Sequence, residues 1–353
     1  MSTRPKVYIA GMGMITSIGG SAFTTAAAVR ARCKGLRQSV IPNREFELKK
    51  MALVPDDALP PLNRELDKVD LSARELLMLR LITPAIAEAL ATVPLKEPPP
   101  LFLAMPETLP GSPAAVQANF LDHLQAQTNA RIDRPMSRLI ANGRAGGLHA
   151  VDLAFKYFSS TNKDVALIGG VDTYFANYLL GKLDYEGRVL AAGVLDGFVP
   201  GEAAGFLLLV SERVADKLPN KPLARVYQPG LATESGHRYS KDPYRGDGLA
   251  DAFRLAIENS PGQSINTIYS SMNGEHLAAK EFGVAMIRNS TSVDEKVKHE
   301  HPADGFGDIG AAFAPVLMGI AALDLQKGWR QGPALVYAAS EQQPRAAVVV
   351  QAA

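Results

Sequence analysis

The sequence predicts an α/β protein built from two topologically similar halves on buried, largely parallel sheets. Three observations carry this expectation. Strand-like runs alternate with helix-like runs along the chain, the pattern of strands joined by crossover helices. Val165–Ile168 and Phe206–Val210 are short apolar runs set among glycines, which read as strands buried on both faces. The order of elements also repeats: residues 1–213 give three strand–helix units and then two strands, and residues 222–353 give the same order, with a junction near 211–223.

Taken in order, Val7–Ala10 is a first strand, followed by the turn Gly11-Met12-Gly13 and an alanine-rich helix over Ser21–Lys34. A GxG without a third glycine at dinucleotide spacing excludes a nucleotide-binding loop. Residues 35–72 read as an irregular connection with little core of its own, part of an insertion over 35–95. Ala73–Thr92 has helical periodicity, Leu101–Ala104 is a strand, and Ser112–Thr128 is an amphipathic helix with His123 on its solvated side. Arg138–Ala141 is a short strand leading into a helix that runs to Phe158. Between the two glycine-bounded strands lie a helical segment, Tyr174–Leu183, and a glycine-rich loop, Gly193–Gly205. In the second half the expected elements are a strand at Leu223–Gln228, a helix at Asp247–Glu258 and a strand at Asn266–Ser270. A helix at Glu275–Phe282 and a strand at Val284–Arg288 follow, then a helix at Asp308–Lys327 and strands at Ala334–Ala338 and Ala346–Gln351.

Composition narrows the function classes. The chain has 353 residues, 47% apolar and 21% charged, ample for a large core. A formal net charge of +1 argues against nucleic acid or an anionic membrane as partner. One cysteine, Cys33, leaves no disulfide framework or cysteine metal cluster, and the six histidines show no ligand spacing, so neither a metal nor a cofactor is expected. Cys33 lies among Arg30, Arg32 and Lys34 and reads as an ordinary helix-end residue rather than a reactive thiol. No apolar run reaches membrane-spanning length and the first residues lack a signal-peptide core, so a cytoplasmic location is the default.

Four stretches carry a more specific signal. Gly169-Gly170-Val171-Asp172 closes one strand, and Asp196-Gly197-Phe198-Val199-Pro200-Gly201-Glu202 precedes the next. Asn142-Gly143-Arg144-Ala145-Gly146-Gly147-Leu148-His149 forms a strand-to-helix elbow, and Phe306-Gly307-Asp308-Ile309-Gly310-Ala311-Ala312 opens a long helix. Together they resemble the β-ketoacyl synthases of the thiolase superfamily, over almost the whole chain. The resemblance implies a thiolase-like five-layer αβαβα sandwich. It also implies that the elbow is where those synthases keep a nucleophilic cysteine, at a helix N-terminus whose free N–H groups favour a thiolate. In this register Arg144 stands at that position. Asn273 stands where the family has its first histidine, and Gly307 or Asp308 where it has the second. The turn between the closing strands, which helps to form the family's oxyanion hole and is glycine-rich there, reads Ser340-Glu341-Gln342-Gln343-Pro344. Nucleophile, both histidines and oxyanion turn are altered together.

The expectation is therefore a ketosynthase-like protein without the family's covalent chemistry: a non-catalytic partner, adaptor or acyl-binding subunit. A homodimer, or a heterodimer with a related subunit, is expected through the strand before the elbow, with acyl carrier protein or acyl-CoA as further partners implied by the resemblance. Candidate ligand-binding residues are Asn142, Arg144, Asn273, Glu275, His276 and Asp308. Asp308 also reads as a helix cap, and Arg144, if buried, requires a carboxylate such as Asp308 or Glu275. The alternative is an active 3-oxoacyl synthase or acyltransferase of fatty acid or polyketide type with a rearranged site, in which the Glu275-His276 pair does acid–base work. A third reading is a component of a larger assembly, with residues 35–72 and 231–247 as contact surfaces.

Overall fold

Residues 5–43 and 46–353 are described by a computed structural model. The first half runs β1 (Val7–Thr16), α1 (Ala22–Arg30), β2 (Arg37–Pro42), β3 (Leu48–Met51), α2 (Ala73–Leu90), β4 (Leu101–Ala104), α3 (Phe120–Thr128), β5 (Arg138–Ile140), α4 (Gly146–Ser160), β6 (Val165–Thr173), α5 (Asn177–Tyr185), β7 (Glu202–Ser211) and α6 (Glu212–Ala215). The second runs β8 (Ala224–Val226), β9 (Gly230–Thr233), α7 (Asp247–Glu258), β10 (Ile265–Ser270), α8 (His276–Arg288), β11 (Val293–Glu300), α9 (Ala303–Phe306), α10 (Phe313–Gln326), β12 (Ala334–Ala339) and β13 (Pro344–Ala352).

The two sheets have the same wiring. The first is ordered β5-β4-β6-β7-β1 and the second β11-β10-β12-β13, with β8 and β9 both pairing β13 in the place that β1 holds beside β7. β4 and β10 lie parallel to both neighbours, and β7 and β13 lie antiparallel to all of theirs. The sheets are therefore mixed, less parallel than the strand–helix alternation predicts. They also join edge to edge, because β8 pairs β1 as well as β13.

Helices complete five layers. Helices α2 and α3 cover the outer face of the first sheet, and α7 and α8 cover the outer face of the second. Between the sheets lie α4 and α10, which pack on strands of both. Every residue of α10 from Phe313 to Leu325 is buried. A helix apolar on all sides belongs between two sheets. The contact of α4 with α10 depends on Gly147, where a Cβ would stand 2.7 Å from both Ala314 Cβ and Pro315 Cδ. Local signals start the outer helices: Ser72 and Glu75 form a reciprocal capping box at α2, and Ser21 and Thr24 do so at α1.

The structure corrects several expectations. Residues 35–72 are not structureless, since β2 and β3 form a hairpin whose Met51 belongs to a small core with Leu180, Leu183 and Phe198. His123 is buried, 6% exposed, because α3 begins only at Phe120 and turns that side chain inward. Val284–Arg288, an apolar run too short for periodicity to decide, is the end of α8 rather than a strand. The strand falls instead at Val293–Glu300, an edge strand whose charged residues carry no apolar pattern. Cys33 is exposed and lies beyond the end of α1. No helix among the described residues is long and apolar enough to cross a membrane.

Glu202, the first residue of β7, holds the segment after β3. Its carboxyl accepts from the Val54 N–H at 2.9 Å and from the Thr173 hydroxyl at 2.7 Å. Burial pushes this carboxyl up to about 7 against those two hydrogen bonds. The folded value lies above the unfolded one, so folding favours the protonated form. That stabilisation is complete below the ordinary carboxylate range and is lost as pH rises through about 7. Urea unfolding at pH 5 and pH 7.5 checks this: the wild type should lose stability relative to Glu202→Gln between the two pH values, and equal differences at both would refute it.

Candidate functional site

The elbow is built by β5, a 3-10 turn over Gly143–Ala145, and the start of α4. Gly143 adopts φ +55°, the left-handed conformation that glycine reaches without strain. The turn places Arg144 where the strand ends and the helix begins, 7% exposed. Its Nε donates to both oxygens of Asp308, at 3.0 and 3.2 Å, and its Nη2 donates to Asp308 and, at 2.8 Å, to Glu341.

Asp308 is fully buried. It accepts from Arg144, from Asn273 Nδ2 at 2.8 Å, from the Tyr174 hydroxyl at 3.2 Å and from the Gly310 N–H at 2.9 Å. It does not cap α10, whose N-cap is Ala312. The Gly310 contact is a local turn, and the arginine is the chief partner. Of the two positions that the sequence left open, Gly307 and Asp308, the aspartate is the one whose side chain enters the site. Asn273 bridges it to Glu275, donating to that carboxylate at 3.0 Å.

A second arginine, Arg188, lies beyond this set. Nε and Nη2 each reach a Glu275 oxygen at 2.8 Å, a bidentate pairing, and Nη2 also reaches Glu341 at 2.8 Å. Arg238 contacts Glu275 at 2.9 Å and Glu341 at 3.5 Å. Three guanidiniums thus interlock with three carboxylates, and Glu341 touches all three arginines. Burial pushes the Glu341 carboxyl up, and the guanidiniums of Arg144, Arg188 and Arg238 more than reverse this, holding it well below the usual carboxylate range. Burial lowers the arginines and the carboxylates raise them further, so both Arg144 and Arg188 stay cationic. Burial, then the nearby Asp308, pushes the Tyr174 hydroxyl well up, so it remains a neutral donor.

The closing turn is held without glycine. Arg345, 2% exposed, donates to the carbonyls of Ser340, Gln342 and Pro344, and also pairs with Glu281 at 2.5 Å. The Ser340 hydroxyl donates to the Asn142 carbonyl at 2.5 Å and accepts from the Ala145 N–H at 3.0 Å, stitching turn to elbow. The two amides that the turn presents are taken: Glu341 N–H donates to Glu107 Oε1 at 2.7 Å, and Gln342 N–H to Oε2 at 3.1 Å.

Of the residues singled out from sequence, Arg144, Asn273, Glu275 and Asp308 converge on one network, and Asn142 joins through its backbone carbonyl. Arg144 pairs with Asp308, as its burial required, and its second carboxylate is Glu341 rather than Glu275. His276 does not converge. Its ring is exposed and lies 3.7 Å from Asp196, so it makes no acid–base pair with Glu275 inside the site. Arg188, Arg238, Glu107, Tyr174 and Glu341 went unseen. Only Glu341 carried a signal, as an acidic residue in a turn that the resemblance makes glycine-rich. On the side of the elbow away from Glu275, Arg144 and Glu341 form part of the wall of a cavity of about 360 Å³ lined largely by apolar residues. No group of histidine, cysteine or carboxylate side chains that could hold a metal ion occurs among the described residues.

No protein-family model matches the chain, and neither does any curated protein. Solved structures do match. The ishigamide ketosynthase/chain length factor is similar at 17% identity and TM-score 0.75, over 99% of this chain and 100% of that one. The ketosynthase from module 6 of the bacillaene synthase of Bacillus subtilis 168 is similar at 15% identity and TM-score 0.79, over 99% of this chain and 72% of that one. A type II polyketide synthase acyl carrier protein in complex with its ketosynthase bound to the hexaketide is similar at 15% identity and TM-score 0.76, over 99% and 100%. The chain therefore has the thiolase-like fold of the ketosynthases.

The charge network makes a quantitative expectation. Asp308→Ala leaves Arg144 with one carboxylate in a buried site, which costs about 3–5 kcal/mol when a buried pair is broken. Adding Arg144→Leu should recover much of that loss. Urea denaturation of the two single variants and the double measures the coupling, and additive losses would show that the pair is not a unit.

Proposed function

We propose that this chain is a non-catalytic, ketosynthase-fold subunit that acts as the two-fold partner of a catalytically intact ketosynthase in the cytoplasm. The observation that carries the reading is the set of interlocked charges standing where the resemblance places the nucleophile and both histidines. An arginine forms no thioester. Asn273 donates a hydrogen bond but cannot shuttle a proton. The hydroxyls in the network, Ser340 and Tyr174, have no histidine base beside them and are spent on Asn142 and Asp308. The turn's amides serve Glu107, so they are not free to stabilise an oxyanion.

The sheet edges favour pairing through β5. The far edge, β11, reads VDEKVKHE, with Glu295, Lys296 and Lys298 exposed, a charged edge that resists further strands. The β5 edge is three residues long, Arg138-Leu139-Ile140, with exposed Met136 just before it. A short, weakly charged edge suits continuation of the sheet into a second subunit across a two-fold axis. One neighbour's name joins a ketosynthase to a chain length factor, and another's joins a ketosynthase to an acyl carrier protein. By analogy, the partner here is a related ketosynthase and the third component is an acyl carrier protein. A condensing enzyme with a rearranged site is the weaker reading, because the acidic and basic side chains of the network are committed to one another.

Two measurements test this. Intact-mass spectrometry after incubation with acyl-CoA and with acyl–acyl carrier protein thioesters should show no stable adduct; one abolished by Cys33→Ala would overturn the reading of the site. Light scattering at micromolar concentration should give a pair of this chain with the co-expressed ketosynthase. A monodisperse monomer that does not change on co-expression would overturn the partner role.

A further inference from the structure

We infer that the cavity beside the elbow is a binding site for an amphiphile with an apolar body and a primary ammonium head, received by Glu107. The inference stands apart from subunit pairing and rests on the chemistry of the cavity wall.

The cavity, about 360 Å³, lies within the range of small-molecule sites, roughly 300–1,000 Å³. Leu109, Pro113, Ala114, Ala115, Leu179 and Leu183 give it an apolar body. Its charged groups are Arg74, Arg144, Glu107, Asp172 and Glu341, with no lysine or histidine among the lining residues. Both guanidiniums are already committed. Arg74 pairs with Asp172 at 2.7 Å and donates to the Thr173 carbonyl, and Arg144 is divided between Asp308 and Glu341.

Glu107 is the carboxylate left over. Around the site the carboxylates of Glu107, Asp172, Glu275, Asp308 and Glu341 face the guanidiniums of Arg74, Arg144, Arg188 and Arg238. Each carboxylate except Glu107 has an arginine in direct contact. Glu107 holds only neutral donors: the Glu341 and Gln342 amides and, at 3.3 Å, the Gln342 side-chain amide. An ionised carboxylate offers about four acceptor positions, so at least one remains. Desolvation, followed by the adjacent Glu341 charge, pushes the Glu107 carboxyl up, the direction expected of a half-buried acid with no cation in contact. The lining also includes Ser112, whose buried hydroxyl has no hydrogen-bond partner among the described residues.

An ammonium ion supplies what the wall lacks. It brings one positive charge to the unpaired carboxylate and donors for its free acceptor position. An anionic amphiphile would meet Glu107 and Glu341 as like charges. To find a cation it would have to detach Arg144 from Asp308 or Glu341, breaking a buried pair. The site therefore selects amine over carboxylate.

Isothermal titration calorimetry of the full chain at pH 7 with octylamine, octanol and octanoate tests the inference. Octylamine should bind at least tenfold more tightly than octanoate, with octanol between them. Glu107→Gln should remove the preference for the amine, and Leu179→Trp, which fills the cavity, should abolish binding of all three. Near-UV circular dichroism establishes that each variant is folded. The wild-type ranking is decisive by itself. Failure of octylamine to bind, octanoate binding as tightly as octylamine, or an amine preference that survives Glu107→Gln or Leu179→Trp would each overturn the inference.

Discussion

Charge neutrality in a buried place is the constraint on which the site depends. Six separate stretches of chain, around residues 144, 188, 238, 275, 308 and 341, each bring one ionised side chain to the same point. Desolvating one such group costs several kcal/mol after relaxation, and the cost is recovered only if its partners are in place. No member can therefore be exchanged alone without leaving a charge stranded. Glu341 shows this most clearly, since it touches all three arginines and titrates far below the usual range because of them. The network offers weak evidence for extra stability. It is better evidence that removing any one member alone is costly unless its partner is removed with it.

What could be seen in the sequence divides along physical lines. Patterns set by a whole strand or helix were legible: the glycine-bounded runs of β6 and β7, the periodicity of α2, and the uniformly apolar α10. The position of Arg144 at a strand-to-helix elbow was legible too, because Gly147-Leu148-His149-Ala150 opens a helix directly after a short strand. Features decided by tertiary contact were not. Asp308 precedes a helix and so looks like a cap, but its orientation is set by an arginine more than 150 residues away in the chain. Arg188 and Arg238 sit in loops with no periodic signal, and nothing local says that a loop arginine turns inward. Strand β11 escaped because an exposed edge strand has no apolar face to betray it, and the start of α3 was misplaced because proline-rich and polar residues precede it.

The fold does not depend on the residues of the elbow, because the two rest on different contacts. The central layer is held by the face of α4 that meets α10 at Gly147, by the buried length of α10, and by the sheets above and below. None of these contacts requires a thiol or an imidazole. The closing turn illustrates the exchange in detail. Residues 340–343 all keep negative φ, so the turn needs no glycine, and Arg345 supplies from beneath the donors that satisfy its carbonyls. Shared architecture therefore carries little weight for activity, and the argument for function must be made at the elbow itself.

The electrostatics of that elbow also show why a thiol placed at position 144 would not by itself be activated. A thiol at position 144 would stand beside Asp308 and Glu341 after both had lost the guanidinium that Arg144 provides. Two nearby carboxylates disfavour a thiolate and raise its pKa. The start of α4 opposes them, but a helix N-terminus contributes only about 0.3–1 kcal/mol to a nearby negative charge, up to ~2 in partly buried geometry. Asp308 would have to change with Arg144, and Asn273, which donates to Asp308, would then lose its acceptor. Glu341 would remain bound to Arg188 and Arg238, and its N–H to Glu107. Each reversal leaves the next charge unpaired, and that sequence of penalties keeps the site in its present state.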